Sequence, residues 1–226
     1  MVNFIYRDEH FVAINKPNGL LVHRSYIASD ASEFALQLVR DALGQYVYPV
    51  HRLDRKTSGV LIFGLSSEIA RKIQESMESG AAQKLYLAIV RGFFPDEVQL
   101  NHPLINEAGK SQEAETFFKI IKRTELDIPL GKHATSRYSL IEAFPRTGRM
   151  HQIRRHLDQL RHPIIGDRPW GCNKQNKLFL DKWEMNTMML HAVSMKIPHP
   201  ISGELIEINA ELPTEFQRML DLLSLK

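Results

Sequence analysis

Asp54 is the first residue of this sequence whose surroundings suggest chemistry. It is the only carboxylate in segment 49–59, where Arg52, Arg55 and Lys56 surround it. Nearby cations keep a carboxylate ionised, and an ionised carboxylate can act as a nucleophile. The segment also lies between two apolar runs and ends in Thr-Ser-Gly, so a surface turn that Asp54 merely shapes is the simpler interpretation of the segment alone.

Arg154 is a second candidate, because it lies at the edge of an apolar stripe in a helix predicted over residues 148–161. This position predicts a half-buried guanidinium, and a buried guanidinium needs an anion. Asp54 is the candidate partner. The pattern equally allows an arginine whose charged end reaches water.

Tyr86 is a third candidate and belongs to a strand predicted over residues 84–90. Leu85 and Leu87 point to one face of that strand, whereas Tyr86 points to the other, where Ala88 leaves space beside it. A tyrosine in this place is by default part of the core. Alternatively, its ring stacks on a flat ligand and presents the hydroxyl group.

Charge is distributed unevenly along the chain. The net charge of the 226 residues is only +3, but residues 146–161 hold five arginines and two histidines against one acid, Asp158. A local basic face of this kind suits phosphate, and therefore nucleic acid. It could also be the solvated face of a helix.

Several other classes of protein lack support in the sequence. The single cysteine, Cys172, excludes an internal disulfide and a multi-cysteine zinc site, and it fits a reducing cytoplasm. His151 and His156 are five residues apart, which is off one helical face, so we expect no metal site. Neither a Gly-x-Ser-x-Gly elbow nor a glycine-rich phosphate loop occurs. No apolar run is long enough to cross a bilayer, and the N-terminal residues are not a signal peptide.

The pattern of apolar residues predicts one mixed α+β domain over residues 1–226, with a mostly antiparallel sheet in which strands outnumber helices. Asp30 and Glu33 are the expected capping pair of a first helix, and Ser66 or Ser67 is the expected cap of a second. The predicted helices cover 31–43, about 66–79, 148–161 and 213–223. The predicted strands cover 4–6, 11–14, 46–48, 60–63, 84–90, 116–121, 138–144, 188–197 and 204–209, with loops at 101–112 and 123–133.

Several segments together resemble the RluA family of pseudouridine synthases. The match runs from about residue 4 to residue 213. Its most specific part is Arg-Leu-Asp at 52–54 with Thr-Ser-Gly at 57–59, and the tripeptide at 190–192 is weak alone. The matching segments are residues 15–19, 51–54, 57–59, 84–86, 147–156, 162–167 and 190–192.

The resemblance implies a pseudouridine synthase fold with a central cleft and an enzyme that uses neither cofactor nor metal. It implies that Asp54 is the essential carboxylate, which either attacks the sugar C1′ or serves as an acid and base. Tyr86 would stack on the uracil, and Arg154 would pair with Asp54. Arg52 would fill the gap left by a flipped-out base or hold a phosphate. The expected substrate-binding residues are Arg52, Arg149, Gln152, Arg155 and Arg161.

Within this family the similarity is greatest to members that modify tRNA. It implies that the substrate is tRNA, with uridine 65 in the acceptor/T-arm region as the target. A large-subunit ribosomal RNA substrate is the alternative within the family, and a non-catalytic RNA-binding module is the alternative outside it. We further expect a cytoplasmic monomer with no obligate protein partner and no N-terminal S4 domain. Segment 168–172 departs from the family pattern.

Overall fold

The computed structural model describes residues 2–23 and 33–226. The strands are β1 (Phe4–Arg7), β2 (Phe11–Lys16), β3 (Tyr48–Pro49), β4 (Ser58–Gly64), β5 (Gln83–Arg91), β6 (Glu97–Asn101), β7 (Leu104–Ile105), β8 (Ser111–Gln112), β9 (Glu115–Leu126), β10 (Ser136–Pro145), β11 (Leu190–Pro198) and β12 (Leu205–Asn209). The helices are α1 (Ala35–Leu43), α2 (Ser67–Glu78), α3 (Gln152–Gln159), α4 (Asn173–Trp183) and α5 (Thr214–Leu222).

These elements form two compact units. The first contains the described part of residues 1–84 together with 192–211, and the second contains residues 85–191 and 212–226. The α+β class and the antiparallel pairing expected from sequence are confirmed. The single catalytic domain and the lack of an N-terminal S4 domain stay predictions.

The first unit is an antiparallel sheet with α2 packed against it. Its strands follow the order β1-β2-β4-β11, while β3 pairs with β4 and β12 pairs with β11. All seven residues of β4 are buried, so this strand runs through the unit's core. The core side chains are Phe11, Ala13, Val50, Val60, Ile62, Ile69, Ala70, Ile73, Met77, Met195, Ile197, Ile208 and Ala210.

The second unit is organised around β10, which pairs with β5 on one side and β9 on the other. β6 extends the sheet beyond β9, and β7 with β8 forms a separate short hairpin. Tyr138 of β10 contacts Phe179 of α4 edge-on, with ring centroids 5.2 Å apart. α4 is thereby packed against the sheet.

Most predicted elements are confirmed, including the two hairpins at 4–16 and 190–209. α2 begins as expected, because the Ser66 hydroxyl accepts a hydrogen bond from the Ile69 N–H at 3.2 Å. The first helix begins at Ala35 and ends at Leu43, just before Gly44, which adopts a φ of 66°. Its expected cap, Asp30, lies outside the described residues.

Two predictions along the second unit were wrong, and one helix was missed. Segment 101–112 is not only loop, because β7 and β8 pair there around the side-chain oxygen of Asn106, which accepts the N–H groups of Ala108 and Lys110. β9 continues to Leu126, well past the predicted end, because β10 pairs with it along its length. α4 was not predicted at all, since only Gln175 and Phe179 of its residues are buried and the apolar stripe is weak.

The helix predicted over 148–161 begins later, at Gln152. His151, just before it, has a φ of 55°, which is a left-handed conformation that breaks the helix. Met150 is 38% exposed and therefore does not belong to the apolar stripe, whereas Ile153 and Leu157 are buried as predicted.

Candidate active site

Asp54 lies in the connection between β3 and β4, at the start of a tight turn. The Thr57 N–H donates to the Asp54 carbonyl at 3.0 Å and closes the turn. Of the Thr-Ser-Gly segment only Thr57 belongs to the turn, because β4 already begins at Ser58. Gly59 instead allows a close approach of the backbone: it has a φ of 112°, and a Cβ there would lie 2.1 Å from the Ala192 carbonyl oxygen.

Lys16 holds this turn through hydrogen bonds, and it was not among the site residues predicted from sequence. Its Nζ donates to the carbonyl oxygens of Pro17 at 3.0 Å, Leu20 at 2.8 Å and Arg55 at 3.2 Å. Lys16 is fully buried. Burial lowers the pKa of Lys16 to about 7, while the charge of Asp54 acts in the opposite direction. A lysine at the end of an otherwise apolar strand was the signal that could have identified it.

Further hydrogen bonds join the turn to segment 17–20. The Gly19 N–H donates to the Arg55 carbonyl at 2.8 Å, and the Arg55 Nε donates to the Gly19 carbonyl at 3.1 Å. The Asn18 side-chain amide donates to the Lys56 carbonyl. The backbone of the turn that carries Asp54 is therefore held by segment 16–20 as well as by the turn's own residues.

His51 has a structural task next to the turn. Its Nε2 accepts a hydrogen bond from the Ile62 N–H at 3.2 Å, which requires an uncharged ring nitrogen. Burial and then the charge of Lys84 lower the pKa of His51 to about 3. Within residues 2–23 and 33–226, no group of three or more His, Cys, Asp or Glu side chains is arranged to hold a metal ion.

Arg154 lies in α3 and is more deeply buried than predicted, at 5% exposure. Asp167 supplies an anion within the same unit. It accepts from the Arg154 Nε at 2.7 Å and from the Arg154 NH2 group at 2.9 Å, and both side chains are almost inaccessible to water. The pairing of Arg154 with Asp54 stays a prediction.

Tyr86 lies in β5 opposite Ala143 of β10 and is 8% exposed. Ala88, two residues along the strand, is also buried. The strand and the burial agree with the sequence pattern. The contact of Tyr86 with uracil stays a prediction.

Gln152, which is predicted to bind substrate, makes four hydrogen bonds within the second unit. Its Oε1 accepts from the Thr147 hydroxyl at 2.7 Å and the Arg149 N–H at 3.0 Å. Its Nε2 donates to the Glu115 carbonyl and the Thr116 hydroxyl, both at 3.0 Å. These four bonds satisfy the hydrogen-bonding capacity of the amide, which is 4% exposed, and they position the segment before α3. The contact of Gln152 with RNA stays a prediction.

The other predicted RNA-binding residues remain accessible. Arg52 and Arg161 are exposed, while Arg149 and Arg155 are half-buried. The Arg149 Nε donates to the Glu113 carbonyl, and the Arg155 NH1 group donates to the Ile105 carbonyl, both at 2.9 Å. Neutral carbonyl partners direct these two guanidinium groups without cancelling their charge.

The chain belongs to the RNA pseudouridylate synthase family, whose sequence model matches residues 10–159. The RluA-type resemblance is thus confirmed, and the chain is an isomerase that forms pseudouridine. It is 40% identical, over 98% of its length and 95% of the relative, to tRNA pseudouridine synthase C of Vibrio vulnificus (strain CMCP6). Its identity to tRNA pseudouridine synthase C of Vibrio cholerae serotype O1 (strain ATCC 39315 / El Tor Inaba N16961) is 42%, over 97% of this chain and 95% of the relative.

The fold is shared with solved structures of pseudouridine synthases. The solved structure of human RNA Pseudouridylate Synthase Domain Containing 4 superimposes with a TM-score of 0.75 at 23% identity, covering 98% of this chain and 93% of the human one. None of the helices among the described residues is both long and apolar enough to span a membrane.

Proposed function

We propose that this chain converts one uridine of tRNA to pseudouridine, with uridine 65 in the acceptor/T-arm region as the target. The observation that carries the proposal is identity of 40% or more, over nearly the whole chain, to proteins named tRNA pseudouridine synthase C. A tRNA substrate and the lone cysteine favour the cytoplasm as its place of action. In this proposal the enzyme acts as a monomer and needs no obligate protein partner.

Asp54 is the essential carboxylate of the proposed reaction. The bond between N1 of the uracil and C1′ of the ribose breaks, the base turns, and C5 bonds to C1′ while the C5 proton leaves. Asp54 either attacks C1′, displacing N1 and being displaced in turn by C5, or moves the protons, of which C5 loses one and N1 gains one. The hydrogen bonds of Lys16 and of segment 17–20 fix the turn that carries Asp54, and this fixed position supports a catalytic role for the carboxylate.

Tyr86 stacks against the detached uracil in this proposal, and Arg154 helps to keep Asp54 ionised. Its bidentate hydrogen bonds with Asp167 fix the direction of the guanidinium group, which supports a positioning role in α3.

The target uridine has to leave the helical stack before Asp54 can reach it. Arg52 fills the gap or holds the neighbouring phosphate. Arg149, Arg155 and Arg161 hold the RNA backbone through contacts that weaken with salt. Gln152 takes part indirectly, because its amide holds the Arg149 backbone in place.

Release of tritium from RNA labelled at C5 of uracil tests the proposal, because that hydrogen leaves when C5 bonds to C1′. We expect the purified chain to release tritium from an unmodified tRNA transcript, up to a plateau that corresponds to one uridine per molecule. Release from ribosomal RNA alone would contradict the tRNA assignment. RNA binding without release from either RNA would identify a non-catalytic RNA-binding module.

A further inference from the structure

The segment that departs from the family pattern is a rigidly built loop of the second unit. The Asp167 carboxylate that binds Arg154 also accepts from the Trp170 N–H at 3.4 Å. The Asn176 side chain donates to the Asp167 carbonyl at 2.6 Å. Gly171 completes the loop, because a Cβ at this position would lie 1.6 Å from the Asp167 carbonyl oxygen. These contacts leave the backbone of Trp170 little freedom.

The side chain of Trp170 is held as firmly as its backbone. The indole Nε1 donates to Nδ1 of His151 at 3.3 Å. The Arg155 guanidinium carbon lies 5.4 Å from the centroid of the Trp170 ring, and the Ile105 carbonyl accepts from this guanidinium group. The two flat groups therefore form one fixed pair.

This pair is more than core packing, because both side chains remain half-buried and so keep contact with solvent. Arg168 and Pro169, which precede Trp170, are exposed. A rigid, partly exposed aromatic ring next to a guanidinium plane is the surface on which single-stranded bases stack. Its rigidity lowers the conformational entropy that RNA binding would cost.

We propose that the Trp170–Arg155 pair is a stacking platform for an unpaired base of the RNA substrate and contributes to the choice of RNA. This inference rests on the proposed function, since it assumes that RNA is the ligand. Stacking is sequence-tolerant, so the platform selects an RNA in which a base is unstacked at the correct distance from the target uridine.

Tryptophan fluorescence tests the platform directly, because the chain has only two tryptophans, Trp170 and Trp183. The Trp183→Phe variant keeps Trp170 as the single reporter, and the Trp170→Phe variant keeps Trp183. Trp183 is a matched control, because it too lies next to a cation, with the Lys182 Nζ 5.8 Å from its ring centroid. On titration with an unmodified tRNA transcript, we expect quenching of Trp170 and an unchanged signal from Trp183.

Affinity measurements separate stacking from charge. Trp170→Ala is expected to weaken tRNA binding about ten-fold, with Trp170→Phe in between, because one stacked base contributes that order of affinity. The dependence of the binding constant on salt should stay the same in both variants, since neither removes a phosphate contact. Arg161→Ala should lower that salt dependence.

Tritium release by the Trp183→Phe variant, measured on the same samples, distinguishes the possible outcomes. Quenching of Trp170 together with tritium release supports the platform. Tritium release without quenching, or full tRNA affinity in Trp170→Ala, overturns the platform and leaves the proposed function intact. Absence of both tRNA binding and tritium release overturns the proposed function and the platform together.

Discussion

At the scale of residues, the catalytic proposal depends on how firmly Asp54 is held. Lys16 is the residue on which this depends most, because its ammonium group joins three backbone carbonyls around the turn. Burying an ammonium group is costly unless hydrogen bonds compensate. Here all three of its N–H groups have an acceptor.

Stability should therefore change with pH in a way that depends on Lys16. Burial lowers its pKa to about 7 in the folded chain, whereas a lysine of the unfolded chain titrates near about 10.4. Between these values the unfolded state binds the extra proton, so the free energy of unfolding rises with pH, by up to about 1.4 kcal/mol per pH unit. The cost of burying the charge is fully present below about pH 7.

Urea unfolding of the wild type and of Lys16→Met over this pH range checks the prediction, with the exposed Lys132→Met as the control for loss of one charge. The free energy of unfolding of the wild type, minus that of Lys16→Met, should increase as the pH rises. A difference that stays constant would show that Lys16 keeps its proton. If the variant does not fold, an NMR titration of the Lys16 Cε resonance in the wild type shows whether Lys16 loses its proton over this pH range.

The sequence predicted part of the site at this scale. Asp54, Tyr86 and Arg154 could be proposed from charge, alternation and resemblance, and the structure places each on the kind of element that was expected. Asp167 could not be predicted as the partner of Arg154, because the two are joined across a loop and no local spacing indicates the contact. The hydrogen-bond partners of Gln152 could not be predicted for a similar reason, because they lie on two separate segments, 115–116 and 147–149.

At the scale of elements, β4 follows the turn that carries Asp54 and leads from it into the core of the first unit. Gly59 is its tightest point, because a Cβ there would overlap the Ala192 backbone. We expect Gly59→Ala to destabilise the chain by about 3 kcal/mol or more, since strand backbone has to move apart.

Gly203→Ala is the matched control, because Gly203 has a φ of 75° but nothing within 4 Å of its Cβ position. It should cost only about 1 kcal/mol, the strain of a left-handed alanine. Urea unfolding of both variants measures the difference. Equal losses would mean that backbone conformation, and not the close approach to Ala192, accounts for the glycine at 59.

Long, strongly patterned elements were predictable and short or weakly patterned ones were not. β5 and α2 follow clear alternation or four-residue spacing. β7 and β8 have two residues each, which is too short to show a period, and most of α4 is solvent-exposed. The late start of α3 depends on the left-handed His151 and the hydrogen bonds of Gln152, neither of which leaves a sequence signal.

At the scale of the whole molecule, the net charge of +3 says little about an RNA substrate. The accessible arginines around α3 say more, because Arg149 and Arg155 are directed by neutral carbonyl groups and keep their charge for phosphates. Family membership, shown across residues 10–159, then gives the reaction, and the similarity to tRNA-modifying relatives gives the proposed substrate.

Site-resolved mapping of pseudouridine in tRNA tests the central claim most directly. Cells that lack the gene are supplied with either the wild-type chain or Asp54→Asn, and the amount and tRNA affinity of each protein are measured in parallel. We predict that uridine 65 is unmodified without the gene, that the wild type restores pseudouridine there, and that Asp54→Asn binds tRNA but restores none. Pseudouridine restored by Asp54→Asn, or retained at that position without the gene, would contradict the account.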